Sequence, residues 1–186
     1  MKNAPEFEVR YVRSIDDFMR VVAIRTEIYI GEQECPYEEE FDGNDFCAVH
    51  LLAEMEAEPV GCMRIRFFAD FAKLERTSIR PKFRGSEAMR LLTKEGIDFS
   101  RRKGYARIIT HAQARYARLW NRVLGFKEMP ESARFSFSDY DYVAMELTVE
   151  PEAAGWRGAG AGIDHMALNR PEGEWERPGV LERPHA

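Results

Sequence analysis

The chain has 186 residues, of which 45% are hydrophobic, and its formal net charge at pH 7 is −5. This length is sufficient for one domain with a complete hydrophobic core. No stretch approaches the roughly 18 consecutive apolar residues that cross a bilayer, and residues 1–6 lead into polar sequence rather than an apolar signal core. The basic residues are not interleaved with aromatic residues. We therefore expect a cytoplasmic protein with no membrane or nucleic-acid partner.

The cysteines and histidines give neither a disulfide pattern nor a metal-binding pattern. Cys35, Cys47 and Cys62 are odd in number and contain no C-x-x-C pair. Their spacing relative to the four histidines does not match a zinc site. We expect no disulfide framework and no bound metal.

Acidic and basic residues are segregated along the chain. Residues 26–63 contain no Lys or Arg, whereas residues 64–107 contain thirteen basic residues and five acids. One interpretation is that the basic half binds a polyanion and the acidic half attracts a cation. The other interpretation is that two solvated faces simply differ in charge.

The first segments of the chain predict a strand, a helix and a loop. Residues 7–11 alternate apolar and polar side chains, which is typical of a strand with one buried face. Ser14 can cap a helix whose apolar residues recur at helical spacing as far as Ile28. Residues 31–45 contain proline, glycine and seven acids, which indicates a loop.

The middle of the chain predicts an antiparallel meander and a long helix. Strands are expected at residues 49–55 and 61–68, joined by a turn at residues 57–59, and a third strand at residues 71–79. The apolar spacing of residues 86–103 and the glycine that follows predict a helix with a favourable C-terminal turn.

The remaining segments predict a strand at residues 106–112, a helix at residues 114–124 and a strand at residues 142–149. The element order favours a mixed α/β sheet flanked by helices.

Residues 1–149 are therefore expected to form one domain. Residues 150–186 are rich in glycine and proline, which predicts a C-terminal tail. The sequence leaves open whether this tail packs on the domain or is disordered.

The most informative stretch covers residues 74–92, where a strand passes through a basic turn containing glycine directly into a helix. Backbone N–H groups converge at the start of a helix, and that end of the helix dipole is positive. Arg80, Lys82 and Arg84 can add charge-assisted contacts to phosphate oxygens. The stretch therefore predicts an anion site that suits a diphosphate, although a plain basic connection has the same pattern.

This stretch resembles the acyl-coenzyme A loop of the GNAT N-acetyltransferases, whose pattern is V-x-P-x-x-R-G-x-G-x-G/A. Ile79, Pro81, Arg84 and Gly85 match the pattern. The resemblance covers most of residues 7–149 and includes the Leu-Gly-Phe element that ends at Phe126. It implies a GNAT-type fold of α/β (α+β) class with a mainly antiparallel mixed sheet. It also implies acetyl-CoA as acyl donor, a primary amine or lysine side chain as acceptor, and no metal.

The resemblance also implies which residues hold the donor. The backbone of Thr77, Ser78 and Ile79 would bind the pantetheine arm, and the thioester would lie between this strand and residues 106–112. The pyrophosphate would lie on the residues at the helix start, namely Arg84, Gly85, Ser86, Glu87, Ala88 and Met89. Two of these depart from the family pattern, because Glu87 and Met89 replace glycine. Their side chains are expected to crowd or repel the pyrophosphate.

The catalytic residues are less clearly marked. At the position where many family members carry a tyrosine that protonates the departing thiolate, this chain has Asn121, which can donate a hydrogen bond but is not an acid. Tyr116 is a weaker substitute, and Glu75 is a candidate for the base that takes the amine proton. His50 and His111 also lie in predicted strands, where each is either a cleft residue or a structural one.

Three functions remain open. The first is acetyl transfer from acetyl-CoA to an amine, with the acidic loop attracting a cationic acceptor. The second is an acyltransferase that depends on acyl carrier protein, as in autoinducer synthases. The third is a binding module of the same fold without turnover, suggested by Glu87, Met89 and Asn121. The sequence also leaves undecided whether the protein forms a homodimer.

Overall fold

The computed structural model of the protein describes residues 6–130, 135–137 and 140–151. The predicted tail beyond these ranges lies outside the described residues. The helices are α1 (Ile15–Arg25), which continues as a π-helix (Thr26–Glu32), α2 (Tyr37–Glu40), α3 (Ala88–Arg102) and α4 (Ala117–Leu124). The strands are β1 (Phe7–Tyr11), β2 (Val49–Met55), β3 (Glu58–Phe67), β4 (Ala72–Ile79), β5 (Arg107–Gln113), β6 (Lys127–Glu128), β7 (Phe135–Phe137) and β8 (Tyr140–Thr148). Three single-turn 3₁₀ helices cover Asp45–Cys47, Pro81–Phe83 and Ala114–Tyr116.

The strands form one sheet in the order β1-β2-β3-β4-β5-β8-β6, and β7 also pairs with β8. Only β4 and β5 run parallel, and the other described pairs are antiparallel. The expected mixed, mainly antiparallel sheet flanked by helices is confirmed.

The larger core cluster lies between the sheet and α3. Leu92 and Phe99 of α3 are fully buried against Met63 and Leu74 of the sheet. Gly96 allows this close approach, because a Cβ atom there would lie 2.9 Å from the sulfur of Met63. Among the described residues, no helix has the length and apolar character needed to cross a bilayer.

Two local predictions need correction. The turn between β2 and β3 lies at Glu56 and Ala57, whose φ angles of 51° and 66° are those of a tight two-residue hairpin. Pro59 therefore belongs to β3, at a register shift where strand pairing is irregular. The predicted loop at residue 31 begins later than expected, because the π-helix continues α1 as far as Glu32.

The start of α1 follows the prediction in part. The Ser14 Oγ atom accepts a hydrogen bond from the Asp17 N–H at 3.1 Å, as expected for a capping residue. The Asp17 carboxylate, however, lies 2.8 Å from Nη2 of Arg10 and so ties the helix start to β1.

We expect Gly61→Ala to lower the free energy of unfolding by about 1–3 kcal/mol, the usual cost of overpacking. A Cβ atom at Gly61 would lie 2.9 Å from the carbonyl oxygen of Ser78, which is backbone and cannot rotate away. Urea unfolding measures the change. Gly31→Ala is the matched control, because its Cβ would meet only the carbonyl oxygen of Thr26 at 3.6 Å. Equal stability of the two variants would contradict the packing argument.

Candidate active site

The sheet opens where β4 and β5 separate. The two strands pair only from Ala72 to Leu74 on β4 and from Ile108 to Thr110 on β5, although both continue beyond these points. Arg76 has a φ of 53°, and the register between β3 and β4 shifts in the same region. A bulge of this kind bends a strand away from its neighbour. A gap in the sheet follows.

A cavity of about 290 Å³ occupies this gap. Its walls come from the splayed strands, the π-helix, the turn before α3 and the start of α4. The residues from the splayed strands are Glu75, Arg76, Thr77, Ser78, Ile79, Thr110, His111, Ala112 and Gln113. The volume is near the lower end of the roughly 300–1,000 Å³ typical of small-molecule sites.

The turn before α3 brings several of the predicted residues to the cavity. Arg84, Gly85, Ser86 and Met89 line it, and Gly85 has a φ of 80° with open space around the position of a Cβ atom. Oγ of Ser86 accepts a hydrogen bond from the Ala88 N–H at 3.3 Å, which orders the start of the helix.

The substitutions at the expected glycines have different outcomes. Glu87 is exposed and pairs with Nη2 of Arg90 at 2.6 Å, so its side chain is not part of the cavity wall. The Glu87 carboxylate is thus directed to Arg90 of its own helix and not into the cavity, where it would repel the pyrophosphate. Met89 does line the cavity. Ala88 is fully buried in the core instead.

Arg84 is held across the mouth of the cavity by Glu32, at the end of the π-helix. Nη1 of Arg84 donates to Oε1 of Glu32 at 2.8 Å, and Nη2 donates to Oε2. Nε of Arg84 also donates to the carbonyl oxygen of Ile79 at 3.3 Å. The hydrogen bonds from Arg84 lower the pKa of the Glu32 carboxyl. The cation expected to meet phosphate is thus already paired with a carboxylate.

The remaining predicted residues of β4 also lie along the cavity. The carbonyl oxygen of Thr77 accepts a hydrogen bond from the Tyr29 hydroxyl at 3.5 Å. Oγ1 of Thr77 is buried and has no hydrogen-bond partner within the described part of the chain. Ser78 is buried, and its hydroxyl lies 3.4 Å from the carbonyl oxygen of Arg76.

Glu75 lies at the cavity wall, 9% exposed, in contact with three cationic side chains. Its carboxylate accepts a hydrogen bond from Nε of Arg64 at 2.9 Å. Nζ of Lys73 lies 3.0 Å away, and Nη1 of Arg66 lies 3.5 Å away. Glu75 is thus the shared anion of three ion pairs.

Glu75 belongs to a larger set of paired charges that we call the buried ion network. Arg25 and Arg64, both fully buried, converge on Asp45, with Nη1 atoms 2.6 Å and 3.0 Å from its Oδ1. Arg25 also pairs with fully buried Glu40. The members of the network are Arg25, Glu40, Asp42, Asp45, Arg64, Glu75 and Arg76.

This network corrects the interpretation of the segregated charges. At least six of the eleven acids in residues 26–63 form ion pairs with bases of residues 64–107. Asp42 pairs with Nη2 of Arg64 at 2.7 Å, and Glu27 pairs with Nε of Arg80 at 3.0 Å. The acidic loop is thus bound to the sheet, although Glu38 within it is exposed.

The two candidate acids lie in different environments. Tyr116 is 43% exposed and lines the cavity, with the guanidinium of Arg115 4.8 Å from its ring centroid. Asn121 is not among the cavity residues. Its side-chain Nδ2 donates to the backbone carbonyl oxygen of Phe126 at 2.9 Å. Its backbone carbonyl oxygen accepts from the Gly125 N–H at 3.0 Å. Asn121 therefore closes the C-terminus of α4.

The two strand histidines also differ. His50 is buried with Nε2 3.1 Å from the carbonyl oxygen of Asp45, which is a structural position. His111 lines the cavity.

The sequence did not mark a polar group at the far side of the cavity. Nε2 of Gln113 donates to Gln33 at 3.2 Å and to the Tyr142 hydroxyl at 3.3 Å, while Oε1 of Gln113 accepts from Arg115 at 2.8 Å. These residues are far apart in sequence, so only their pairing in the sheet could have revealed them. Within the described ranges, no group of three or more metal-ligating side chains is arranged to hold a metal ion.

The acetyltransferase (GNAT) family model matches residues 18–126, more than half of the 186-residue chain. The chain belongs to the GNAT family. Acyl transfer is therefore its reaction class, and GNAT acetyltransferases use acetyl-CoA as acyl donor. A Bacillus subtilis (strain 168) protein named "Putative acetyltransferase" is 27% identical over 126 residues, which cover 66% of this chain and 85% of that protein.

Solved GNAT structures share the architecture. An acyl-CoA N-acyltransferase from Pseudomonas aeruginosa has a TM-score of 0.67 at 19% identity, covering 77% of this chain and 99% of that one. Escherichia coli ElaA has a TM-score of 0.66 at 18% identity, covering 76% and 99%. FeeM, an N-acyl amino acid synthase from uncultured soil microbes, has a TM-score of 0.66 at 12% identity, covering 78% and 92%. At these identities the likeness is one of fold.

Because of the buried ion network, the free energy of unfolding should fall as the pH becomes acidic. Burial acts to raise the pKa of the Asp45 carboxyl, but Arg25 and Arg64 outweigh it, so the pKa lies below 3.8. A lowered folded-state pKa stabilises the protein above the unfolded value, and this contribution disappears as the pH falls through the folded value. Asp45→Asn should therefore cost about 3–5 kcal/mol near neutral pH, as expected when a buried ion pair is broken. The gap to the wild type should narrow below about pH 4.

Urea unfolding at neutral and acidic pH measures this gap. Asp16→Asn is the control, because Asp16 is an exposed residue of α1 outside the network. It should change stability by less than about 0.5 kcal/mol at either pH. A gap for Asp45→Asn that stays constant with pH would contradict the ionic origin of the effect.

Proposed function

We propose that the protein is an N-acetyltransferase that moves the acetyl group of acetyl-CoA to a primary amine. The observation that carries this proposal is the cavity between β4 and β5, which leads directly to the basic turn before α3. If the thioester of acetyl-CoA lay in the gap, the phosphates of the same molecule would lie at that turn. The acceptor class that we favour is a cationic small molecule or a lysine side chain.

The donor would be held mainly by backbone groups. Beyond Leu74 no pairing with β5 is described for β4, so the pantetheine arm would lie along residues 77–79. There it would compete with the Tyr29 hydroxyl for the carbonyl oxygen of Thr77 and with Arg84 for that of Ile79. At the start of α3 the Ala88 N–H is bound by Oγ of Ser86. The N–H groups of Met89 and Arg90 precede the first bond of the helix and would meet the pyrophosphate. Arg84 would add charge-assisted hydrogen bonds after leaving Glu32.

The reaction depends more on holding the amine correctly against the thioester than on making the amine a stronger nucleophile. An amine held against the thioester carbonyl attacks it directly, and the C–S bond then breaks. We assign protonation of the departing thiolate to Tyr116, which lies at the cavity with its hydroxyl-bearing ring half exposed. Asn121 is left out of the proposed mechanism because its side chain is used at the end of α4.

The charge of the cavity bears on the acceptor. Glu40, Asp42 and Asp45 are committed to arginines, so the acidic loop as a whole is a weak attractant for a cation. Glu32 and Glu75 are the carboxylates that line the cavity within the described residues. Both are paired with cationic side chains as well, so either would recognise an ammonium group by exchanging one of those partners.

Thermal unfolding with candidate donors tests the proposal, followed by thiol release with a panel of amines. A ligand present at about 100 times its dissociation constant adds roughly 2.7 kcal/mol to the stability of the folded state. We expect a shift with acetyl-CoA and with free CoA, and acetyl-CoA turnover with at least one amine. Turnover only with an acylated carrier protein would replace acetyl-CoA by that donor. No shift and no turnover would favour a binding module.

Glu32 should compete with the donor phosphates for Arg84. Glu32→Gln removes the competing carboxylate, and an exposed ion pair of this kind is worth about 0.2–1 kcal/mol. We therefore expect the dissociation constant for free CoA to fall about two- to fivefold in Glu32→Gln, and to rise in Arg84→Gln. Titration calorimetry measures both.

Glu58→Gln is the matched control. Glu58 pairs with Lys82 of the same basic turn at 2.6 Å, but neither residue lines the cavity. Its CoA affinity should match that of the wild type. Unchanged affinity in both Glu32→Gln and Arg84→Gln would show that the phosphates bind elsewhere.

A further inference from the structure

His111 lies on β5 immediately after the last residue that pairs with β4. The final parallel pair is Leu74 with Thr110, so the next residues on the two strands are Glu75 and His111. Side chains alternate between the faces of a strand, which places His111 on the same face as Gln113. Gln113 contacts Gln33 of the π-helix region and Tyr142 of β8. His111 thus faces the part of the cavity lined by the π-helix, opposite Glu75.

The other ionisable groups on this face are less suited to accepting a proton. Glu75 is engaged by Arg64, Arg66 and Lys73. Burial raises the pKa of the phenol of Tyr29 and that of Tyr142, so both remain protonated and act as hydrogen-bond donors near neutral pH. A neutral imidazole at the same wall has one unprotonated ring nitrogen, which is the atom that can take up a proton.

We propose that His111 is the group that accepts the proton of the attacking amine, an assignment that rests on the proposed acetyl transfer. The amine nitrogen forms a bond to the thioester carbonyl carbon, and one N–H proton passes to an imidazole nitrogen of His111. The C–S bond then breaks, the sulfur leaves with the bonding electron pair, and it takes up one proton. The products are the amide and the free thiol, and His111 returns to its neutral form by releasing its proton.

Burial, together with a neighbouring lysine, favours the neutral form of the His111 imidazole. Burial has the largest effect and lowers the pKa of His111 below 6.5, Lys73 lowers it further, and Glu75 opposes both. On β8, Ala144 lies directly opposite His111, flanked by Tyr142 and Glu146. Glu146 is itself paired with Nε of Arg107 at 2.9 Å. Glu75 then acts as a positioning residue, because its carboxylate lies at the cavity wall beside the strand position of His111 and can orient the ammonium or the imidazole.

The test compares kcat/KM for the amine in wild type, His111→Gln and Glu75→Gln across the pH range in which histidine titrates. The acceptor is the most active amine found in the panel, and acetyl-CoA is the donor. Loss of a general base typically reduces rate about 10²–10⁴-fold. We expect a loss of this size in His111→Gln, with KM for acetyl-CoA little changed. The acidic limb of the profile should vanish in that variant and persist in Glu75→Gln.

Two further measurements separate chemistry from folding, and a third reports the protonation of His111. Free CoA should shift the thermal unfolding of His111→Gln as it does for the wild type. Imidazole added to His111→Ala should restore part of the rate. In the wild type, NMR of the histidine side chains, assigned by the signal missing from His111→Gln, should show His111 titrating below the ordinary histidine value of about 6.5.

The outcomes are distinct. Full activity in His111→Gln, or an acidic limb that disappears only in Glu75→Gln, would assign the proton to Glu75 and overturn the role of His111. A His111 that is already protonated at neutral pH would overturn it as well. No turnover of any amine by the wild type would instead overturn the proposed acetyl transfer, and the His111 role with it.

Discussion

The arrangement of the site depends on the convergence of two buried arginines on one carboxylate. Arg25 at the end of α1 and Arg64 in β3 both bind Asp45, which lies in the segment that connects α1 to β2. Buried charges are costly unless each is paired and hydrogen-bonded, so this segment is stable in few other positions. Because the π-helix lies between α1 and the acidic loop, fixing both of its ends also fixes its wall of the cavity. Tyr29 and Gln33 are thereby held against β4 and β5.

The second constraint is the short parallel contact between β4 and β5. Three residue pairs anchor the two strands, and the bulge at Arg76 then separates them. A sheet usually satisfies its backbone groups by pairing, so strands that part inside a domain leave groups for a ligand. Helix α3 begins beside this gap and supplies further N–H groups. The same separation that weakens the sheet therefore creates a site for an extended molecule with a polar backbone and an anionic end.

Much of the fold followed from local patterns, whereas the pairing of charges did not. Periodicity, caps and glycines placed most helices and strands within a few residues, because these signals act over one or two turns of chain. The partner of an arginine is set by tertiary packing, so neither the pairing of Arg64 with Asp42 nor that of Arg84 with Glu32 was visible. The orientation of the Glu87 side chain was also not visible, because it is set by the ion pair with Arg90 on the same helix. Asn121 occupied a position typical of a catalytic residue and was recruited to end α4 instead.

Which side chains the π-helix presents to the cavity depends on the number of residues in its turn as well as on their identity. The Gln33 N–H bonds to the carbonyl oxygen of Ile28, five residues back, where an α-helix would reach back only four. The turn therefore holds one residue more than an α-helical turn would. Removing one residue within it would let the turn relax to an α-helix, and the elements on either side would keep their places. Only the side chains within the turn would change, so gain or loss of one residue here alters the wall that faces the acceptor without any change in the sheet.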